Sequence, residues 1–276
     1  MKIIRNIEQL RQELDGQTSI GFVPTMGFLH EGHASLLKQA RQENDIVVLS
    51  IFVNPTQFGP NEDLDRYPRD AERDQALAEA AAVDYLFYPT NETMYPLDMA
   101  RVTVRSGDDV LCGASRPGHF DGVLTVVSKL FNIVRPNRAY FGLKDAQQLA
   151  LIEGYIADYF VPVEIRRCPI IRETDGLAKS SRNVYLSDLE REQAPGIQQA
   201  LVQAKSWLDD GQPIEQVVEQ TRALLQFEGT SIDYVEAVSY PALGPVTATT
   251  ETILLAVAVQ FQSARLIDNL LYTRGA

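Results

Sequence analysis

The stretch SIGFVPTMGFLHEGHASLLKQARQEN, residues 19–44, indicates the fold of the larger part of the chain. An apolar run at 19–24 predicts a strand, and the spacing of apolar residues at 33–44 predicts a helix. A glycine-containing loop joins them and enters the helix near His30. The succession of strand, loop and helix is that of a βαβ unit. Because ligands of open α/β sheets bind beyond the carboxyl ends of the strands, this loop is the first candidate site.

The same alternation of strand and helix continues along the chain. Short apolar runs rich in β-branched residues predict further strands, and segments with helical periodicity lie between them. The pattern predicts a parallel sheet covered by helices, a Rossmann-like nucleotide-binding domain. The further predicted strands are 45–53, 84–89, 138–142 and 162–167, and the predicted helices include 68–82 and 121–134.

The alternation of predicted strands and helices ends after about Arg172. Helical periodicity predicts two helices, at 190–210 and at 214–227. Two strand-like runs follow at 231–240 and 251–259 without a long helical crossover, as is typical of antiparallel neighbours. We therefore expect an α/β protein with a Rossmann-like parallel-sheet domain and a smaller C-terminal α+β lid domain. The expected domains are 1–174 and 175–276.

Charge and hydropathy restrict the partners of the chain. Its 276 residues include 37 acidic and 25 basic side chains, a formal net charge of -12. This excess disfavours broad attraction to nucleic acid or to an anionic membrane. No apolar run suits a signal peptide or a membrane span, so we expect a cytoplasmic protein. Cys112 and Cys168 lie far apart without CxxC spacing, and we expect reduced structural thiols.

Two histidines mark the loop and helix start that follow the first quoted strand. His30 and His33 are three residues apart and therefore share one face of a helix. The first turn of that helix offers backbone N–H groups and a positive dipole end, a suitable cradle for phosphate. Metal binding is the alternative, but zinc helices of the HExxH type space their histidines four apart. The chain has one further histidine, His119.

A second polar segment, GLAKSSRN at 176–183, follows the last strand of the predicted parallel sheet. Ser180 and Ser181 offer hydroxyl donors, and Arg182 can bind phosphate oxygens bidentately. By itself the segment reads as an ordinary polar turn. Together with the histidines and Lys144, it would stabilise the charge that grows as the bond between the α- and β-phosphates of a nucleotide breaks. The chain contains no Walker sequence, so a P-loop is not supported.

These motifs resemble those of known families. HEGH after PTMG resembles the HxGH signature of the nucleotidyltransferase superfamily, and GLAKSSRN resembles its KMSKS companion loop. The resemblance narrows to the pantothenate synthetase family because five blocks match in order, and RLIDN at 265–269 matches more faintly. The five blocks are PTMGFLHEGH at 24–33, SIFVNPTQFGPNEDLDRYPRD at 50–70, RPGHFDGVLTVVSKLFNIVRP at 116–136, FGLKDAQQLALIE at 141–153 and DGLAKSSRNVYL at 175–186.

The resemblance implies an AMP-forming ligase that joins pantoate to β-alanine through a pantoyl-adenylate and releases pyrophosphate. It implies Mg²⁺ with the ATP, a homodimer, and an ATP- and pantoate-binding first domain. Two alternatives remain open: another HxGH-type nucleotidyltransferase, and a catalytically inactive nucleotide-binding regulator. No residue of the sequence is an unambiguous base for the amine of β-alanine.

The resemblance also assigns residues. Gln57 and Gln148 would hold pantoate through neutral amides, and Asp74 is a weaker candidate near Mg²⁺ that we expect to be an exposed helical residue. The expected catalytic residues are His30, His33, Lys144, Ser180, Ser181 and Arg182. The expected ATP-binding residues are Met26, Gly27, Phe28, Leu29, His30, Glu31, Gly32, His33, Gly142, Leu143, Lys144, Asp145, Ile171, Lys179, Ser180, Ser181 and Arg182.

The chain departs from the family pattern at three positions. Leu143 stands where the family commonly has Glu, and Lys179 stands where it commonly has Met. Phe28 is often smaller in relatives. None of these changes removes an expected phosphate ligand.

Overall fold

A computed structural model describes residues 1–60, 62–97 and 100–275. The chain forms two compact units, each assembled from several segments. The first unit consists of Met1–Arg105, Arg116–Leu143 and Leu151–Pro169, and the second consists of Ser106–Ser115, Lys144–Ala150 and Ile170–Ala276. The domain boundary between residues 174 and 175 stays a prediction.

Strands and helices alternate through most of the chain. The strands are β1 (Lys2–Ile4), β2 (Ile20–Thr25), β3 (Ile46–Ile51), β4 (Tyr85–Phe87), β5 (Arg138–Gly142), β6 (Glu164–Cys168), β7 (Ser231–Ser239), β8 (Thr252–Gln260) and β9 (Arg265–Thr273). The α-helices are α1 (Ile7–Leu14), α2 (Glu31–Glu43), α3 (Ala71–Ala80), α4 (Asn91–Met94), α5 (Leu111–Ser115), α6 (His119–Val134), α7 (Ala146–Asp158), α8 (Asp188–Gln193), α9 (Gly196–Asp209) and α10 (Ile214–Leu224). Short 3-10 helices span Pro55–Gln57, Leu143–Asp145 and Ser181–Tyr185.

The first unit is built on a parallel sheet with the strand order β1-β4-β3-β2-β5-β6. Its central strands read as apolar runs because both faces are covered, and residues such as Val23 and Leu49 are fully buried. β2 pairs with β3 on one side and with β5 on the other. The direction of the chain across the sheet therefore reverses between β2 and β5. Ligands bind at such switch points, so the topology directs attention to the loop after β2.

The second unit contains an antiparallel sheet in the order β7-β8-β9. Residues of this sheet and of helices α9 and α10 share one apolar core. The predicted Rossmann-like sheet, the smaller α+β part and the antiparallel pairing of β7 with β8 are confirmed. The predicted helix at 190–210 is wrong in one respect, because it is two helices separated at Ala194 and Pro195. Proline lacks the N–H that a continuous helix needs.

Two strands were not predicted. β1 has three residues and pairs only with β4, so its apolar pattern is too short to read. In β9, Asp268 and Asn269 interrupt the apolar sequence, although both side chains are buried.

The two cysteines are free thiols, as predicted, and both are buried. Burial raises the pKa of the Cys168 thiol to about 11, and the charge of Glu43 acts in the same direction. Within the described residues, no helix combines the length and the apolar character that crossing a bilayer requires.

Candidate active site

The loop after β2 turns sharply through two residues with positive φ, Gly27 at 86° and Phe28 at 49°. A Cβ on Gly27 would stand 2.9 Å from Cγ2 of Ile51 and 3.0 Å from Oδ2 of Asp74, so glycine suits both the conformation and the space. The N–H groups of Phe28 and Leu29 donate to the Asp74 carboxylate at 2.8 and 2.6 Å. The carboxylate therefore fixes the shape of the loop.

Asp74 is 2% exposed, so the expectation of an exposed residue is wrong. It lies in the first turn of α3, on the face that packs against the loop after β2. Burial raises the pKa of Asp74, although the hydrogen bonds from Leu29 and Phe28 act against this rise. Both carboxylate oxygens already accept backbone N–H groups, and this does not fit a direct Mg²⁺ ligand. A role of Asp74 near nucleotide-bound Mg²⁺ stays a prediction.

The two histidines form a capping box at the start of α2. Nδ1 of His30 accepts the N–H of Gly32 at 3.1 Å, and Nδ1 of His33 accepts the N–H of His30 at 3.2 Å. The ring centroids lie 4.1 Å apart. A neutral imidazole whose Nδ1 accepts a hydrogen bond carries its proton on Nε2. The capping box thus makes Nε2 of both rings the donor, as contact with a phosphate oxygen requires.

Gln57 lies beside this loop, in the 3-10 helix that follows β3. Its side chain is buried, with Nε2 donating to Sδ of Met26 at 3.4 Å and Oε1 accepting from Nδ2 of Asn54 at 2.9 Å. Asn54 is 1% exposed and also accepts from the hydroxyl of Tyr95 at 2.7 Å. The structure therefore joins two predicted site residues, Met26 and Gln57, and adds Asn54 as their support.

His119 holds the backbone of the same segment. Its Nδ1 lies 2.8 Å from the carbonyl oxygen of Gln57, which can only accept, so Nδ1 donates. Nε2 is then the acceptor, and Arg116 approaches it through Nη1 at 3.0 Å. Arg116 also pairs with Glu62. Burial opposes ionisation of Glu62, but the hydrogen bond and charge of Arg116 outweigh burial and lower its pKa.

A cavity of about 340 Å³ opens in the first unit next to the loop after β2. Its lining includes Met26, Gly27, Phe28, Phe52, Asp74 and Tyr88. Among the described residues, no group of three or more His, Cys, Asp or Glu side chains could hold a metal ion.

Of the remaining predicted residues, Gly142 and Leu143 belong to the first unit and the others belong to the second. Lys144 and Asp145 are in the 3-10 helix after β5, with Nζ of Lys144 3.9 Å from Oδ1 of Asp145. Gln148 lies half-buried on α7. Residues 171–179 form a hairpin in which the N–H of Lys179 donates to the carbonyl of Ile171 at 2.9 Å. Ser180 caps the next 3-10 helix, accepting the N–H of Arg182 at 3.3 Å.

A family model described as "Pantoate-beta-alanine ligase" matches residues 2–271. The chain belongs to the pantoate-beta-alanine ligase family. Pantothenate synthetase of Exiguobacterium sibiricum is 84% identical over 276 residues, all of both chains. A solved pantothenate synthetase of Thermus thermophilus is 45% identical, with 98% of this chain and 99% of that chain covered and a TM-score of 0.94. A pantoate-beta-alanine ligase of Francisella tularensis is 38% identical, with 98% and 97% covered and a TM-score of 0.82.

Membership of the pantoate-beta-alanine ligase family confirms the resemblance seen in the sequence and the predicted enzyme class, an ATP-using ligase. The solved Francisella tularensis structure is described as complexed with "Beta-gamma ATP and Beta-alanine". Individual residue roles stay predictions. Lys179, where the family commonly has Met, pairs with Glu173 through an Nζ to Oε2 distance of 2.7 Å.

Three supporting residues, Asn54, Tyr95 and Arg116, were not predicted. The contact between His119 and the backbone of Gln57 was not predicted either. Asn54, Arg116 and His119 lie inside the sequence blocks that carry the family resemblance. Membership of those blocks could therefore have marked them as candidate site residues. Tyr95 lies outside every block. Its contact with Asn54 follows from chain folding over 41 residues, and no local pattern indicates it.

Proposed function

We propose that this member of the pantoate-beta-alanine ligase family makes pantothenate in two steps through a pantoyl-adenylate. The observation that carries the proposal is the histidine capping box at the start of α2, beside a buried contact between Met26 and Gln57. It presents two imidazole Nε2–H donors and a helix N-terminus at a sheet switch point.

In the first step, a carboxylate oxygen of pantoate attacks the α-phosphorus of ATP, and pyrophosphate leaves. Negative charge grows on the leaving group, and donors aimed at that charge stabilise the transition state. His30 and His33 supply Nε2–H donors, and Arg182 supplies a bidentate guanidinium. Lys144, Ser180 and Ser181 complete the set of proposed donors. Gln57 and Gln148 orient pantoate without placing a competing nucleophile beside ATP.

In the second step, the amine of β-alanine attacks the carbonyl carbon of the mixed anhydride, and AMP leaves with the bond electrons. The amine is captured in its neutral form or passes its proton to water or phosphate. Alignment of the reactants supplies much of the rate, because well-oriented groups react with very large effective concentrations.

The proposal also covers the metal ion, the cellular compartment, the oligomeric state and the binding partners. Mg²⁺ enters with ATP and neutralises phosphate charge when bound. The enzyme acts in the cytoplasm as a homodimer, with ATP, pantoate and β-alanine as its partners, and with no nucleic acid or membrane. Residues 175–276 act as the lid domain, and residues 1–174 bind ATP and pantoate. The excess of 12 negative charges supports the absence of a polyanionic partner.

The test is exchange of labelled pyrophosphate into ATP without β-alanine. Exchange that requires pantoate is expected, because the adenylate forms reversibly before the amine binds. Turnover to pantothenate without any exchange at high pyrophosphate concentration would contradict the intermediate. Absence of both reactions would favour a catalytically inactive nucleotide-binding protein.

A further inference from the structure

The two polar residues that interrupt β9, Asp268 and Asn269, each form a hydrogen bond with a segment that contains predicted site residues. Asn269 is buried, and its Nδ2 donates to the backbone carbonyl of Lys144 at 2.9 Å. This bond joins residues 125 positions apart in the chain. It fixes the backbone from which Lys144 and Asp145 project.

The neighbouring residue, Asp268, holds the second predicted phosphate-binding segment. Its carboxylate is 3% exposed and binds Arg172 bidentately, at 2.6 Å to Nη1 and 3.1 Å to Nη2. Nη1 of Arg172 also donates to the carbonyl of Gly176 at 3.0 Å. Arg172 and Gly176 lie in the 171–179 hairpin, which leads directly into Ser180, so Asp268 fixes the base of that hairpin.

One strand can serve both segments because neighbouring strand residues point to opposite faces. The register of β9 is itself fixed, since Asp268 pairs with Val257 and Asn269 pairs with Ala256 of β8. The N–H of Asn269 also donates to Oδ1 of Asp268 at 2.8 Å. A buried ion pair gives little net stability compared with well-packed apolar residues. The contribution of the pair between Asp268 and Arg172 is the fixed geometry of the 171–179 hairpin.

We propose that Asp268 and Asn269 are positioning residues for the adenylation step. Asn269 sets the position of Lys144, and Asp268 sets the position of the Ser180 to Arg182 segment through Arg172. The inference rests on the proposed function, because it gives those residues their role toward ATP.

The first experiment measures pantoate-dependent pyrophosphate exchange by the full chain at saturating ATP and pantoate. Asn269→Ala and Asp268→Asn are each expected to lower the exchange rate about 10-fold, since small displacements of catalytic groups are costly. Asp233→Asn is the matched control, because Asp233 forms an ion pair with Arg265 in the same sheet and contacts neither segment. We expect the control to stay within about 2-fold of the wild type. Equal losses in all three variants would overturn the proposal.

A double-mutant cycle separates positioning from general destabilisation. If Asn269 acts through Lys144, then Asn269→Ala causes no further loss of exchange in a Lys144→Ala background. Losses that multiply in the double variant would overturn the proposal. Asn269→Ser, which keeps a donor on a shorter side chain, is the second variant if Asn269→Ala does not fold.

Hydrogen exchange of the backbone amides in the ligand-free enzyme distinguishes failure of this inference from failure of the proposed function. Asn269→Ala is expected to speed exchange at 144–150, and Asp268→Asn at 171–179, each about 10-fold above the Asp233→Asn control. Amide protection equal to that of the Asp233→Asn control in both variants would overturn the positioning role, whether or not the enzyme forms an adenylate. A Lys144→Ala variant that exchanges pyrophosphate at the wild-type rate would instead overturn the catalytic role of Lys144. The positioning role of Asn269 in adenylation would then have no basis.

Discussion

At the residue scale, the decisive feature is that the atoms that cap α2 also determine the protonation of the histidines. Both Nδ1 atoms accept backbone N–H groups, so the neutral rings carry hydrogen on Nε2. A helix cap and a proposed phosphate donor are therefore combined in one side chain. Substitutions can separate the two functions, because good N-cap residues exist that lack an imidazole Nε2–H.

His30→Asn is expected to retain the cap and lose the donor. Asparagine caps helices well, so the free energy of unfolding should stay close to that of the wild type. Pyrophosphate exchange should fall about 10²-fold, the scale seen when one transition-state donor is removed. His30→Ala, the comparison variant, should lose the cap as well, at about 1 kcal/mol. Wild-type exchange in His30→Asn would contradict the assigned role of His30.

Asp74→Asn tests the buried carboxylate that shapes the histidine loop. An amide can accept from only one of the N–H groups of Phe28 and Leu29, and its own NH₂ then faces the other. We expect a loss of about 2 kcal/mol in the free energy of unfolding by urea, the cost of leaving a buried N–H donor without an acceptor. Asp70→Asn is the control, because Asp70 caps the same helix and asparagine caps equally well. Equal stability of the two variants would be inconsistent with this account.

At the scale of elements, the caps determine how short helices begin. Glu190 in α8 accepts the N–H of Ser187 at 2.8 Å, the N–H of Ser263 at 3.0 Å and the hydroxyl of Ser263 at 2.6 Å. It thus links a six-residue helix to the loop between β8 and β9. Burial opposes ionisation of Glu190, but the hydrogen bonds from Ser263 and Ser187 outweigh burial and lower its pKa to about 2.

The lowered pKa predicts a pH-dependent contribution to stability. Ionised Glu190 stabilises the fold fully above its usual pKa of 4.5, and this contribution is lost as the pH falls from 4.5 through about 2. Glu190→Gln should lower the free energy of unfolding by about 2 kcal/mol at pH 7. The difference from the wild type should shrink toward pH 2 in urea titrations. Glu192→Gln, at an exposed position of the same helix, should behave as the wild type, and a pH-independent difference for Glu190→Gln would contradict the assignment.

At the scale of the whole molecule, the chain maintains separate apolar cores. One core is formed by residues of β2, β3 and α2, and another by residues of α9 and the antiparallel sheet. The proposed donors toward ATP are distributed between the two units, with the histidines in the first and Lys144 and Arg182 in the second. ATP that binds Arg182 should therefore change the protection of the hairpin that leads to this residue.

ATP together with pantoate is expected to protect residues 175–183 from protease and from hydrogen exchange. The glycine in this segment, Gly176, has a positive φ of 97°, and the hairpin residues on either side are joined by backbone hydrogen bonds. Peptide-resolved hydrogen exchange with and without the two ligands measures the effect. The loop between β7 and β8 is the internal control and should not change. Equal protection of 175–183 in both conditions would contradict the role of this segment as a lid.

The parallel-sheet core, the motifs proposed to bind phosphate and the family were predictable from the amino-acid sequence alone. Periodicity depends on which faces are buried, and motifs depend on a few residues close together in the chain, so both are visible locally. The sequence also marked Gln57 and Lys144, because they lie in long matching blocks.

The groups that hold these residues in place are visible in the folded structure alone. Asp74 was expected at the surface and is buried against the loop after β2, while Tyr95 reaches Asn54 and Asn269 reaches Lys144 from distant parts of the chain. Such partners are selected by burial, because a buried polar group needs a hydrogen bond and finds it wherever folding brings a complementary atom. That complementarity exists in three dimensions and leaves no periodic trace in the sequence.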